Sequence, residues 1–79
     1  MGTKNNPGTF DCYTAAEQDE PMFILLARDK SAPLLVRTWA QLRHDMIVMG
    51  LKPASDREMI IEAVECAMAM EEWRRKNRA

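Results

Sequence analysis

Apolar residues in the middle of the chain recur at the spacing of one helical face. Five of them are separated by four, three, four and three residues: Leu35, Trp39, Leu42, Met46 and Met49. This heptad spacing predicts a helix over about residues 33–49 with one buried seam. Pro33 suits the first turn of such a helix, and Gly50 suits the left-handed position after its last turn.

The second half of the chain repeats the same spacing. Its apolar seam consists of Met59, Ala63, Cys66, Met70 and Trp73. The seam predicts a helix over about residues 56–76, and Ser55 with Glu58 has the form of a capping box at its start. Because the connection between the two helices is short, they can only form an antiparallel hairpin. The predicted fold class is therefore all-α.

A shorter apolar run, Met22–Ala27, stands before the hairpin. Periodicity alone does not distinguish a buried strand from a buried helix in so short a run. Pro21 suits a first helical turn, so we predict a shorter third helix at about residues 20–29, packed across the hairpin. Thr14 and Glu17 have the form of a further capping box, which predicts one turn of helix there.

The chain has room for one domain. Residues 1–9 are polar and include Pro7 and Gly8, which predicts a disordered lead-in. Residues 10–79 then form a single helical domain. Apolar residues make up 47% of the 79 positions, including seven Met, which is more than one small core encloses. This excess predicts self-association, with a homodimer as its simplest form.

Charge is balanced overall but unevenly distributed. With 12 acids and 11 bases, the net charge of −1 gives no general attraction to nucleic acid or to an anionic membrane. Four acids and no base lie in 11–20, six acids and one base in 56–72, and four bases and no acid in 74–78. Such segregation is typical of directional electrostatic recognition, and also of a solvated helix surface.

No apolar run approaches the length of a membrane span, and residues 1–9 lack the apolar stretch of a signal peptide. We therefore expect a cytoplasmic protein in which Cys12 and Cys66 are reduced thiols. A single His and two separate Cys predict no metal site, and three isolated Gly predict no phosphate loop or cofactor. Cys12 and His44 lack a positioned third group, so we expect no enzyme.

By elimination, the sequence predicts a protein that acts by contact with a partner. Aromatic and methionine side chains are enriched at interfaces, and segregated charge adds direction. The candidate partner-binding residues are Asp11, Tyr13, Glu17, Asp19, Glu20, Glu58, Glu62, Glu65 and Trp73. For the two aromatic residues, ordinary packing is an equally open interpretation.

Several stretches between residues 10 and 43 resemble small proteins of phages and other mobile elements. They are Phe10–Tyr13, Asp19–Phe23, Leu25–Asp29, Ala32–Val36 and Trp39–Ala40. In size and character the chain is similar to anti-CRISPR inhibitors of type I systems. The resemblance implies no functional residues, and it implies the cytoplasm of a bacterial host.

On this basis we expect a phage-encoded inhibitor that binds a host defence protein complex, a Cascade-type (type I CRISPR) surveillance complex, and blocks target-DNA binding. Acidic side chains would occupy sites that otherwise hold DNA phosphates, or an apolar patch would block the DNA path. An alternative is an oligomeric sponge for a nucleotide immune signal, using Arg28, Lys30, Arg37 and Tyr13. Another is a small DNA-binding accessory protein, using the basic segment 74–78.

Overall fold

A computed structural model describes residues 1–77, and within that range the chain is helical without β-strands. A single helical turn, α1 (Cys12–Ala15), precedes two long helices, α2 (Ala32–Val48) and α3 (Arg57–Asn77). A 3₁₀ turn, Ala54–Asp56, leads into α3. The two long helices pack against each other. The predicted all-α hairpin is thus confirmed, with both helices displaced by one residue from their predicted bounds.

Small side chains form the interior of the hairpin. Ala32, Ala63 and Ala67 are fully buried, and Ala40 is nearly so. Because alanine is the shortest apolar side chain, the two helix axes can approach closely at these positions. No large side chain among residues 1–77 is fully buried. The hairpin therefore leaves most of its larger apolar side chains at least partly exposed.

The interior face of α2 is offset by one residue from the predicted seam. Val36 and Ile47 are half-buried and share a helical face with the buried Ala40. Four of the five predicted seam residues are exposed, and we call them the α2 stripe: Leu35, Leu42, Met46 and Met49. Trp39, the fifth, is half-buried. The offset has a physical reason, because the alanine at position 40 permits closer packing than leucine or methionine would.

In α3 the predicted seam is the interior face. Ala63 is buried, and Met59, Cys66 and Met70 are half-buried. Trp73, the last seam position, remains 44% exposed. The prediction is correct for α3 because Ala63 and Ala67 bring the predicted face of this helix against α2.

The third helix lies elsewhere than predicted. Residues 20–26 form no helix, and a turn closed by the bond from the Asp29 N–H to the Leu26 carbonyl follows them. The short helix is α1, at Cys12–Ala15. An isolated helix of about ten residues is marginal in water unless one face packs against the fold. Phe23 and Ile24 are exposed, so the segment lacks that support.

The first turn of α2 lacks a side-chain cap, whereas the prediction for its last turn is confirmed. Ser31 does not cap the helix, because its hydroxyl donates to Asp29 Oδ1 at 2.7 Å. Gly50 has a φ of 77°, in the left-handed region that the sequence predicted. The N–H groups of Gly50 and Leu51 donate to the carbonyls of Ile47 and Met46. These two bonds form a Schellman motif, which ends the helix.

Candidate protein-contact surface

Residues 11–24, which we call the aromatic–acidic arm, carry two highly exposed aromatic rings. Tyr13 is 71% exposed and Phe23 is 85% exposed. Both line one open cavity of about 400 Å³, together with Pro21 and Ile24. The fold thus brings to one surface two aromatic residues that are ten positions apart in the sequence.

Local hydrogen bonds give the arm its shape. Asp11 caps α1, because its carboxylate accepts bonds from the Tyr13 N–H and the Thr14 hydroxyl, each at 3.1 Å. The capping box predicted from Thr14 to Glu17 is therefore wrong, since α1 ends before Glu17. The Glu20 carboxylate accepts the N–H of Glu17 at 3.0 Å and closes the next turn.

The arm is acidic throughout. No Lys, Arg or His occurs from residue 11 to residue 27. Glu17, Asp19 and Glu20 are exposed, whereas Asp11 is half-buried at its cap position. Of these carboxylates, Glu20 lines the same cavity as Tyr13, the sequence-predicted aromatic residue of this segment. Phe23 was missed among the candidates, because the apolar run around it indicated a packed helix.

Glu62 has a structural role in this fold. Its carboxylate accepts hydrogen bonds from the Met1 ammonium at 2.7 Å, the Thr9 N–H at 2.8 Å and the Phe10 N–H at 2.9 Å. The ammonium, aided by the two N–H groups, lowers the pKa of Glu62. Only 17% of its side chain is exposed. Glu62 thus links the amino terminus and the backbone of Thr9 and Phe10 to α3.

The remaining candidates on α3, Glu58, Glu65 and Trp73, do not line the cavity of the arm. Glu58 and Glu65 are exposed. Trp73 lines a cavity of about 660 Å³ between α3 and the amino-terminal segment, together with Leu26 and Cys66. The structure therefore does not unite the acidic residues of α3 into one free stripe, since Glu62 at its centre is occupied.

The other chemically reactive side chains are dispersed. Cys12 is exposed, and burial raises the pKa of the Cys66 thiol. His44 lies 3.9 Å from Asp45 on the exposed side of α2. Across residues 1–77, no group of three His, Cys, Asp or Glu side chains is placed to hold a metal ion. None of the helices in the same range combines the length and apolarity that a bilayer crossing requires.

Bases that the sequence assigned to two separate alternatives, a nucleotide site and a DNA-binding segment, lie together at the open end of the hairpin. We call them the basic cluster: Lys30, Arg37, Arg74 and Arg75. These residues line one cavity of about 490 Å³ with Pro33, Leu34 and Glu71. An antiparallel hairpin places the start of α2 beside the end of α3, so the sequence contained the signal. Neither Tyr13 nor Arg28 of the predicted nucleotide site lines this cavity, and Arg78 lies outside the described residues.

Comparison with protein-family models finds no match, and comparisons with curated proteins and with solved structures find no significant match either.

Proposed function

We propose that the protein is a non-catalytic inhibitor that binds a basic protein surface through its aromatic–acidic arm. The observation that carries this proposal is the exposure of Tyr13 and Phe23 within a segment that has carboxylates and no base. Exposed aromatic rings are costly to leave in water and are common energetic centres of protein interfaces. A rim of one charge sign favours a partner of the opposite sign.

The target that fits this surface is the DNA-binding channel of a type I CRISPR surveillance complex in the cytoplasm of a bacterial host. This choice of target comes from the sequence resemblance. A channel that holds DNA is lined by Lys and Arg, which pair with phosphates. Glu17, Asp19 and Glu20 would pair with those bases, while Tyr13 and Phe23 would pack on apolar surface beside them. Target DNA would then be excluded.

We further propose that the protein is a homodimer joined through the α2 stripe. The stripe has the spacing of a heptad seam, yet the hairpin leaves it exposed. A second copy of the chain would cover each stripe with an identical one, as a two-fold interface requires. The arm shares no residue with the stripe, so the second copy and the target would contact different side chains.

The proposal is tested by measuring target-DNA binding by a purified type I surveillance complex, with and without the protein. We expect the wild-type protein to abolish DNA binding. The double variant Tyr13→Ala/Phe23→Ala should inhibit on the order of 1,000-fold less well, because two anchor residues at roughly 2 kcal/mol each together contribute about 4 kcal/mol. Val48→Ala/Met68→Ala is the matched control, since it removes two exposed apolar side chains outside the arm.

Charge reversal tests whether the acidic side chains of the arm contribute to the contact. Glu17→Lys/Glu20→Lys should weaken inhibition, whereas Glu58→Lys/Glu65→Lys, with the same change in net charge, should not. Equal inhibition by all of these variants would refute the arm as the contact surface. If the wild-type protein left DNA binding unchanged, the CRISPR target would be wrong. Circular dichroism of each variant distinguishes these outcomes from unfolding.

A further inference from the structure

The basic cluster concentrates positive charge on a chain that is slightly acidic as a whole. Four cationic side chains and one carboxylate, Glu71, line the cavity, whereas the net charge of the protein is −1. General attraction of anions is therefore absent. Any anion that binds must be held by the local arrangement of these four bases.

Two of the four bases are paired with carboxylates, and two are not. Arg37 Nη2 lies 2.5 Å from Glu71 Oε1, and Arg75 pairs with Glu72. Among the described residues Arg74 makes no ion pair; it donates to the carbonyl of Arg28 at 2.8 Å, and, after the hydrogen bonds from Ser31, its charge helps to lower the pKa of the nearby Asp29. Lys30 makes no ion pair with another residue of the range 1–77. The cavity thus retains a positive excess.

The start of α2 adds to this field. Pro33 and Leu34, in the first turn of this 17-residue helix, line the same cavity. The amino-terminal end of a helix carries a partial positive charge and favours an anion. The helix dipole and the basic side chains therefore both favour an anion in this cavity.

From this convergence we propose that the basic cluster binds a small diphosphate-bearing anion. A volume of about 490 Å³ lies within the range of small-molecule sites. Several bases around one cavity suit a ligand with several oxyanions, which Arg binds in a bidentate manner. An extended nucleic-acid backbone fits less well, because Glu71 and Glu72 adjoin the cluster on the exposed surface of α3. The site shares no lining residue with the arm's cavity, so it is independent of the proposed inhibition.

The test is titration of the full chain with inorganic pyrophosphate, followed by amide chemical shifts and by calorimetry. We expect saturable binding of one pyrophosphate per chain, with shifts confined to residues 30–37 and 71–75. Lys30→Gln should weaken it about fivefold, which corresponds to roughly 1 kcal/mol for one exposed charge contact. Lys52→Gln removes the same charge from an exposed loop at the other end of the hairpin and should leave the affinity unchanged.

A nucleoside diphosphate and a short DNA duplex are titrated in the same way to identify the source of the phosphate. A nucleoside diphosphate that binds more tightly than pyrophosphate would identify a nucleotide ligand, and equal affinity would identify the diphosphate group alone. The proposal is overturned if pyrophosphate does not saturate the protein, or if shifts spread evenly over all basic residues. It is also overturned if Lys52→Gln weakens binding as much as Lys30→Gln, or if a short DNA duplex binds more tightly than either small ligand.

Discussion

Arg43 lies over the indole ring of Trp39, with its guanidinium carbon 5.0 Å from the ring centroid. The same guanidinium is 3.9 Å from Asp56 Oδ2, at the turn that leads into α3. Only 23% of the Arg43 side chain is exposed. A half-buried arginine is thus held between a ring on its own helix and a carboxylate beyond the loop, and it ties the closed end of the hairpin together.

Replacing Arg43 by Met tests this contact. The variant keeps an apolar stem but loses the cation over Trp39, which should lower the free energy of unfolding by about 1 kcal/mol. The melting temperature followed by circular dichroism should then fall by roughly 4–8 °C. Lys52→Met is the control, because Lys52 is exposed and makes no ion pair within residues 1–77. Equal melting temperatures for both variants would show that the Arg43 contact contributes nothing.

Gly50 gives a prediction that depends on backbone conformation alone. A Cβ atom at this position would meet nothing within 4 Å, but φ is +77°. Gly50→Ala should therefore cost about 1 kcal/mol without any steric clash. Gly50→Asn should cost less than Gly50→Ala, because Asn tolerates the left-handed region. Urea unfolding of the two variants measures the difference, and the reverse order would contradict the Schellman assignment.

The contrast between α2 and α3 shows how far apolar spacing predicts a fold. In both cases the apolar spacing correctly predicted that a helix forms and how long it is. The two helices also form the predicted antiparallel hairpin. In α3 the spacing also identified the interior face, because Ala63 belongs to the seam. In α2 the larger residues of the seam suggested burial, yet Ala40 on the neighbouring face permits the closer approach. Which of two adjacent apolar faces packs inside is a property of the pair of helices, and one helix alone does not reveal it.

The candidate site was predictable only where local sequence determined it. Tyr13, Glu17, Asp19 and Glu20 could be named as candidates because they are close in sequence, and all four are exposed in the fold. Glu62 was identified as a contact residue, but its role depends on the Thr9 and Phe10 N–H groups, more than fifty positions away. Phe23 was missed because exposure of an apolar run has no signature in the sequence. For both Glu62 and Phe23, contacts between residues distant in the sequence decide whether the side chain is exposed.

Glu62→Gln should release the amino-terminal segment from α3. The variant removes the charge that attracts the Met1 ammonium and weakens the bonds from Thr9 and Phe10. Hydrogen exchange of those two amides should therefore accelerate, as should proteolysis within residues 1–10. Glu65→Gln, three residues along the same helix and exposed, should change neither. Unchanged exchange in Glu62→Gln would contradict the attachment and would agree with the disordered lead-in predicted for residues 1–9.

The same attachment should depend on pH. Because the pKa of Glu62 is lowered in the folded protein, its contribution is complete above the ordinary Glu pKa of about 4.3. It is lost as the pH falls further, through the lowered pKa of the folded state. The amide resonances of Thr9 and Phe10 should shift in that acidic range in the wild type. The same resonances in Glu62→Gln should show no such titration, and an identical curve in both proteins would contradict the assignment.

The proposed homodimer depends on the α2 stripe, and a single charge placed in the stripe should separate its two copies. Leu42 is 55% exposed at the centre of the stripe, so Leu42→Glu would place two like charges at the centre of a two-fold interface. We expect a dimer for the wild type and a monomer for this variant by light scattering. Val48→Glu makes the same kind of change at a more exposed position of α2 outside the stripe, and it should remain dimeric. A wild-type monomer would refute the homodimer, and dissociation by both variants would show that the stripe is not the interface.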